Sequence, residues 1–341
     1  MNRFLERLEQ GPVICAEGYL FEFERRGYLQ AGAFVPEVVL EHPELVAQLH
    51  REFVHAGSDV VEAFTYYAHR EKLRIVGKED ALEEMNRQAL RIAGEVAEET
   101  GALLAGDICN TNIFDPGDPA THEAVRAMFT EQVGWAVDAG ADFIIGETFS
   151  WGQEALMALE VIKETGLPAV ITLAIHRAPE TRDGWTPEDA CKRIEDAGAA
   201  VVGLNCIRGP LTMLPLLERI RATCDGPLAA VPVPYRTTHD EPSFQSLTDP
   251  ERPDTRPFPT ALDPFVCTRD ELGEFAAEAH ALGVSYLGVC CGAAPHHIRA
   301  VAEALGRTPP ASRFSADMSR HAFYGSDERL KDVNRSYAGD L

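Results

Sequence analysis

Three of the eight cysteines in this 341-residue chain stand where their sulfurs could meet around one ion. Cys206 closes the apolar run AGAAVVGLNC, and the adjacent pair Cys290-Cys291 closes LGVSYLGVCC. Three thiolates with one position left open suit zinc, with Zn–S near ~2.3 Å. Soft sulfur ligands disfavour Mg2+ and Ca2+ and leave zinc or iron. Neighbouring residues on a regular strand point to opposite faces, so both members of the pair reach one ion only where the strand end distorts. Gly288 and Gly292 flank the pair and permit such a distortion. The alternative is a merely buried pair beside an unrelated core Cys206, the apolar role that Cys15, Cys191, Cys224 and Cys267 also fit.

Other reactive side chains end similar runs. Glu17 follows VICA and Glu147 follows FIIG, so each places a carboxylate where it could hold a substrate ammonium group or simply be solvated. Phe64, Tyr66 and Tyr67 close DVVEAFTYY, with Phe34 upstream. Ring faces attract quaternary ammonium or sulfonium groups by about 0.5–2 kcal/mol each, although aromatics are equally common at core strand ends. Cys109 and His176 end two further runs, and the role of His176 is left open. His296 and His297 open the helix-like PHHIRAVAEAL, a position that favours capping over metal ligation.

The elements that must position these residues follow one repeat. A helix-like stretch ends in a small residue plus glycine, and a short apolar run follows, at Gly57, Gly101, Gly140, Gly166, Gly198, Gly226 and Gly283. Glycine suits the position after a helix because it takes a left-handed conformation without a Cβ penalty. With VICAEG near the start, the seven junctions imply eight strands alternating with helices. Val46, Leu49 and Phe53, and then Leu82, Met85, Ala89, Ala93 and Val96, carry the helical period. Thr186-Pro187-Glu188-Asp189 is an N-cap followed by proline and acids. The expected fold is an α/β (β/α)8 TIM barrel, whose site lies at the carboxyl ends of the strands. A doubly wound sheet is the rival, but no G-x-G-x-x-G follows the first strand. A barrel over residues 1–305 and a short tail over 306–341 are expected, with a proline-rich insert over 234–265 after strand seven.

Composition narrows the function. With 31 Lys+Arg against 54 Asp+Glu the net charge is −23, which argues against nucleic acid and anionic membranes as partners. No apolar run is long enough to span a bilayer, and the N-terminus has no signal-peptide pattern, so a cytoplasmic, reducing setting is expected.

The motifs Gly203-Leu204-Asn205-Cys206 and Gly288-Val289-Cys290-Cys291-Gly292, followed by Pro295-His296-His297-Ile298-Arg299, resemble the two zinc signatures of the homocysteine S-methyltransferase family. FERRGYLQAG and EHPELVAQLHREFVHAGSDVVEAFTYYA are similar to its betaine–homocysteine branch. The likeness runs from about Gly11 to about Leu305. It implies a Zn2+ barrel that methylates homocysteine to methionine, without a catalytic residue beyond the metal-activated thiolate. The resemblance assigns the metal to Cys206, Cys290 and Cys291, homocysteine to Glu17, Gly18 and Glu147, and the methyl donor to Phe34, Phe64, Tyr66 and Tyr67. It also suggests that Tyr67 takes the open zinc position when homocysteine is absent.

Some positions depart from the betaine pattern. Glu17 stands for an aspartate, Ala63 for a threonine, Phe34 for a tryptophan, Thr148 for a tyrosine and Val289 for a glycine. The C-terminal extension is shorter than in the longer animal enzymes. The expected donor is an onium compound: glycine betaine, or a sulfonium such as dimethylsulfoniopropionate or S-methylmethionine. Delivery of the methyl group to a corrinoid protein, and a non-catalytic zinc or thiol-redox role, are the competing readings. A homo-oligomer is compatible with all of them.

Overall fold

Six of the seven junction glycines take positive φ, between 77° and 119°, and each precedes a strand: Gly57, Gly101, Gly140, Gly166, Gly198 and Gly283. Gly226 differs. The helix before it ends at Arg221, and the Gly226 N–H is held by the Glu195 carboxylate at 2.5 Å. The computed structural model describes residues 2–341. Its strands are β1 (Val13–Ala16), β2 (Val60–Glu62), β3 (Leu103–Cys109), β4 (Phe143–Phe149), β5 (Ala169–Leu173), β6 (Val201–Asn205), β7 (Leu228–Val231) and β8 (Val284–Val289). They form a closed barrel in chain order, every pair parallel, with β8 returning to β1.

The helices are α1 (Arg3–Glu9), α2 (Tyr19–Arg25), α3 (Val38–Glu41), α4 (Pro43–Ala56), α5 (Arg70–Val76) and α6 (Leu82–Thr100). There follow α7 (Pro119–Asp138), α8 (Gly152–Glu164), α9 (Pro187–Asp196), α10 (Pro210–Arg221), α11 (Arg269–Ala281), α12 (Pro295–Ala304) and α13 (Asp332–Arg335). The periodic residues of α4 and α6 are buried, and the Thr186 hydroxyl caps α9 through the Asp189 N–H at 3.3 Å.

The barrel is closed at its amino end by α1, which sequence periodicity did not reveal. Asn2 caps it, and Phe4 is fully buried against Phe143 at 4.0 Å between ring centroids. At the opposite end, the long segment after β7 folds back onto the strand ends. A bridge between Tyr235 and Val266 ties its two arms, and Phe244 packs between Tyr235 and Phe258. The tail is tied to the barrel floor where Arg307 and Arg7 share the Asp59 carboxylate, at 2.6 and 2.9 Å. Among the described residues no helix is long and apolar enough to cross a membrane.

Candidate metal and substrate site

The three sulfurs converge because both strands stop before delivering them. β6 ends at Asn205, and Cys206 and Ile207 turn to φ of 55° and 57° while the Cys206 N–H still bonds to the Val231 carbonyl at 2.8 Å. β8 ends at Val289, so Cys290 and Cys291 lie in a turn closed by the Ala293 N–H on the Cys290 carbonyl at 2.9 Å. Adjacent residues in a turn are free of the strand's alternation, and the three Sγ atoms lie within 4.8 Å of one another. Gly292 enables the turn, at φ 96°, with a Cβ there meeting the Tyr235 hydroxyl. Gly288 has another purpose than distortion: it sits in regular register opposite Cys15, where a Cβ would collide with the Cys15 carbonyl. Hydrogen bonds from Cys290 and Cys291 hold the Cys206 thiol well below its ordinary pKa, while burial pushes Cys290 up.

Next to the sulfurs lies a floor of acids. Asn205 Nδ2 donates to Glu147, to the Thr148 hydroxyl at 2.9 Å and to Glu17 at 3.4 Å. Its Oδ1 accepts from the Thr148 N–H at 2.9 Å, so the amide orientation is fixed. Burial, together with the charge of Cys206, pushes Glu147 up to about 8 against the hydrogen bonds of Thr148 and Asn205. Glu17 is raised by burial and then by Glu147 and Asp107. Glu62 and Asp107 complete the group, both buried, raised chiefly by burial, and absent from the sequence-based set of candidates. Glu17 Oε1 and both oxygens of Glu62 and Asp107 have no hydrogen-bond partner, acceptor capacity that a buried ammonium group would satisfy. Gly18 caps α2 and packs on Ala293, where a Cβ would come within 2.6 Å of the alanine side chain.

A cavity of about 670 Å3 opens outward from the sulfurs, and both Cys206 and Cys291 line it. Phe34, Tyr66 and Tyr67 are in its wall, whereas Phe64 is not. Phe64 lines a smaller chamber of about 20 Å3 with Glu17, Glu62, Asp107 and Glu147, packed against Phe23 and Tyr19. Phe244 and Phe258 of the insert, with Phe21, Phe114 and Trp151, supply further aromatic wall. Among the described residues six non-glycines have positive φ: Phe34, Tyr67, Asn112, Thr148, Cys206 and Ile207. All six line this cavity, the concentration of backbone strain expected at a working site. Tyr67 is held there by its N–H on Cys109 Sγ at 3.3 Å, with the Lys72 ammonium 3.9 Å from its ring centroid. Burial pushes its phenol up to about 12.

The remaining candidates separate cleanly. Cys109 thus supports Tyr67 and stands outside the sulfur triad. His176 is exposed at the cavity rim, its Nε2 2.9 Å from the Ser150 hydroxyl. His297 Nδ1 accepts from the Ala294 N–H at 3.1 Å, which makes it a cap of α12. Asn205, Glu62 and Asp107 could have been suspected from polar letters inside apolar runs, but their inward direction could not.

The family model for homocysteine S-methyltransferase matches residues 18–305. The chain belongs to the homocysteine S-methyltransferase family. It is 37% identical over 337 residues to betaine–homocysteine S-methyltransferase 1 of Xenopus tropicalis, covering 94% of this chain and 79% of that one. It is 36% identical to S-methylmethionine–homocysteine S-methyltransferase BHMT2 of Rattus norvegicus, covering 94% and 86%. The metallated form of the homocysteine methyltransferase MmuM from Escherichia coli superposes with a TM-score of 0.67 at 19% identity, covering 88% of this chain and 98% of that one. That likeness shows a shared fold.

Proposed function

We propose that this homocysteine S-methyltransferase moves a methyl group from an onium donor to homocysteine, with zinc held by Cys206, Cys290 and Cys291. The observation that carries the reading is the place of the three sulfurs, between an acid-lined chamber and an aromatic cavity. The donor set fits the ion. Tetrahedral zinc–thiolate geometry separates the sulfurs by about 3.8 Å, and these lie within 4.8 Å of one another. When bound, zinc would keep the homocysteine sulfur deprotonated and nucleophilic at neutral pH.

The chain's own residues do the rest. Glu17 and Glu147, bridged by Asn205, receive the amino group of homocysteine and direct its sulfur toward the cysteines. The wall of Phe34, Tyr66 and Tyr67 holds the donor cation by its ring faces. A methyl carbon leaves the positive nitrogen or sulfur, which keeps the bonding pair, and joins the homocysteine sulfur. Opposite charges vanish as it moves, so an apolar, water-poor wall favours the step over water. Holding both partners in line replaces a bimolecular encounter.

The test is methionine formation from homocysteine and each of glycine betaine, dimethylsulfoniopropionate and S-methylmethionine. Cys291→Ala is expected to abolish both turnover and stoichiometric zinc. Full activity and full zinc in that variant would overturn the assignment.

A further inference from the structure

Arg208 is the one Arg or Lys among the described residues that is buried, at 7% exposure. No carboxylate pairs with it among the described residues, although the chain holds 54 Asp+Glu, and burial lowers its pKa. A buried charge without a counter-ion is costly unless its donors find hydrogen bonds. Here they find backbone. Nε donates to the Ile175 carbonyl at 2.9 Å, and one terminal nitrogen donates to the carbonyls of His176 at 2.5 Å and Arg177 at 3.5 Å. All three carbonyls lie on the loop after β5.

The same residue ends the turn that delivers the Cys206 sulfur. Its N–H donates to the Cys206 carbonyl at 2.5 Å across Ile207, whose φ is 57°. A three-residue turn with positive φ at its centre is the rare, strained form, and a β-branched residue is poorly suited to it. Strain of this kind persists only where the surroundings over-determine it. The segment after β7 holds the turn from one side. The Phe244 N–H donates to the Ile207 carbonyl at 2.9 Å, the Val233 N–H to the Arg208 carbonyl at 3.0 Å, and the Gly209 N–H to the Thr237 hydroxyl at 3.0 Å. Toward β5 the tie is the Arg208 guanidinium, whose planar fork of donors suits several carbonyls at once.

We infer that Arg208 is a positioning residue for the metal corner: its buried guanidinium braces the Cys206–Ile207 turn against the loop after β5 and so keeps the Cys206 sulfur in the triad. The inference rests on the reading of the three sulfurs as zinc ligands, and goes beyond it by assigning what preforms the site. Groups that orient ligands from behind are worth about 10- to 100-fold in metal affinity. Cys290 and Cys291 sit in a separate turn, closed by the Ala293 N–H, so loss of the brace frees one sulfur of the three.

The experiment measures the zinc affinity of the full chain by competition with a chromophoric chelator, and the sulfur count by X-ray absorption at the zinc edge. It compares wild type with R208M, R208K and F4A. R208M fills the space without donating, and is expected to bind zinc about 10- to 100-fold more weakly, with two sulfur neighbours where wild type has three. R208K keeps a charge and a donor; it is expected to lie between the two, and it carries the comparison if R208M does not fold. F4A removes packing at the opposite end of the barrel, and is expected to keep the affinity and the sulfur count of wild type. R208M as tight as wild type with three sulfur neighbours, or F4A weakened as much as R208M, would overturn the brace. Failure of the zinc reading shows instead in wild type, as protein without zinc or zinc with fewer than three sulfur neighbours, and would end this inference with it.

Discussion

The side-chain amide of Asn205 donates to the Glu147 carboxylate, and the next residue in the chain, Cys206, is a corner of the sulfur triad. One strand end therefore sets the distance between the acid that faces the small chamber and the sulfurs that face the large cavity. The strain at Thr148, which has positive φ, is held by the same amide, since Asn205 Oδ1 accepts from the Thr148 N–H. Asn205→Ala is expected to raise the KM for homocysteine about 10- to 100-fold, the effect of losing hydrogen bonds to a charged group, while zinc content stays stoichiometric. Loss of zinc together with homocysteine affinity would show instead that Asn205 serves the sulfurs.

Asp107 sits among buried acids with neither oxygen partnered. Its pKa is raised, chiefly by burial and then by Glu147. The folded state therefore keeps a proton that the unfolded chain releases above about pH 3.9. Stability from this group is present below that pH and is lost as pH rises toward the folded value. Asp107→Asn removes the titration. It is expected to raise Tm at pH 8 by roughly 2–8 °C and to change it little near pH 4. Thermal denaturation at the two pH values checks the sign; a variant less stable at pH 8 would contradict it.

The amino end of the barrel is a stability device remote from the chemistry. Phe4 fills it by stacking on Phe143, with Tyr286 edge-on at 6.4 Å. Phe4→Ala is expected to lower stability by about 3–5 kcal/mol, read in urea unfolding. The KM for homocysteine measured at a temperature where the variant is folded should be unchanged.

Much of the frame was legible because it rests on local chemistry. Glycines that end helices, a Thr-Pro cap and apolar runs of strand length carry their own signal, and from them an eight-stranded barrel follows. The three cysteines were legible for the same reason, since the barrel rule brings strand ends to one rim. What was not legible depends on closure. Parallel strands covered on both sides are apolar throughout, so their inward sense cannot be read from alternation. Glu62 and Asp107 are therefore isolated letters in VVEAF and LLAGDIC, and Phe64 reads as part of the donor wall although it lines only the small chamber, which Tyr66 shares with it. The helix α1 is too short and too polar to announce itself before Phe4 finds the barrel floor.

The central claim is that three protein sulfurs share one zinc ion. X-ray absorption at the zinc edge on untagged protein reads this directly. One zinc per chain with three sulfur neighbours at ~2.3 Å is expected, with zinc falling below stoichiometric in Cys206→Ser. Protein that carries no stoichiometric zinc after purification without chelators, or zinc with fewer than three sulfur neighbours, would contradict it.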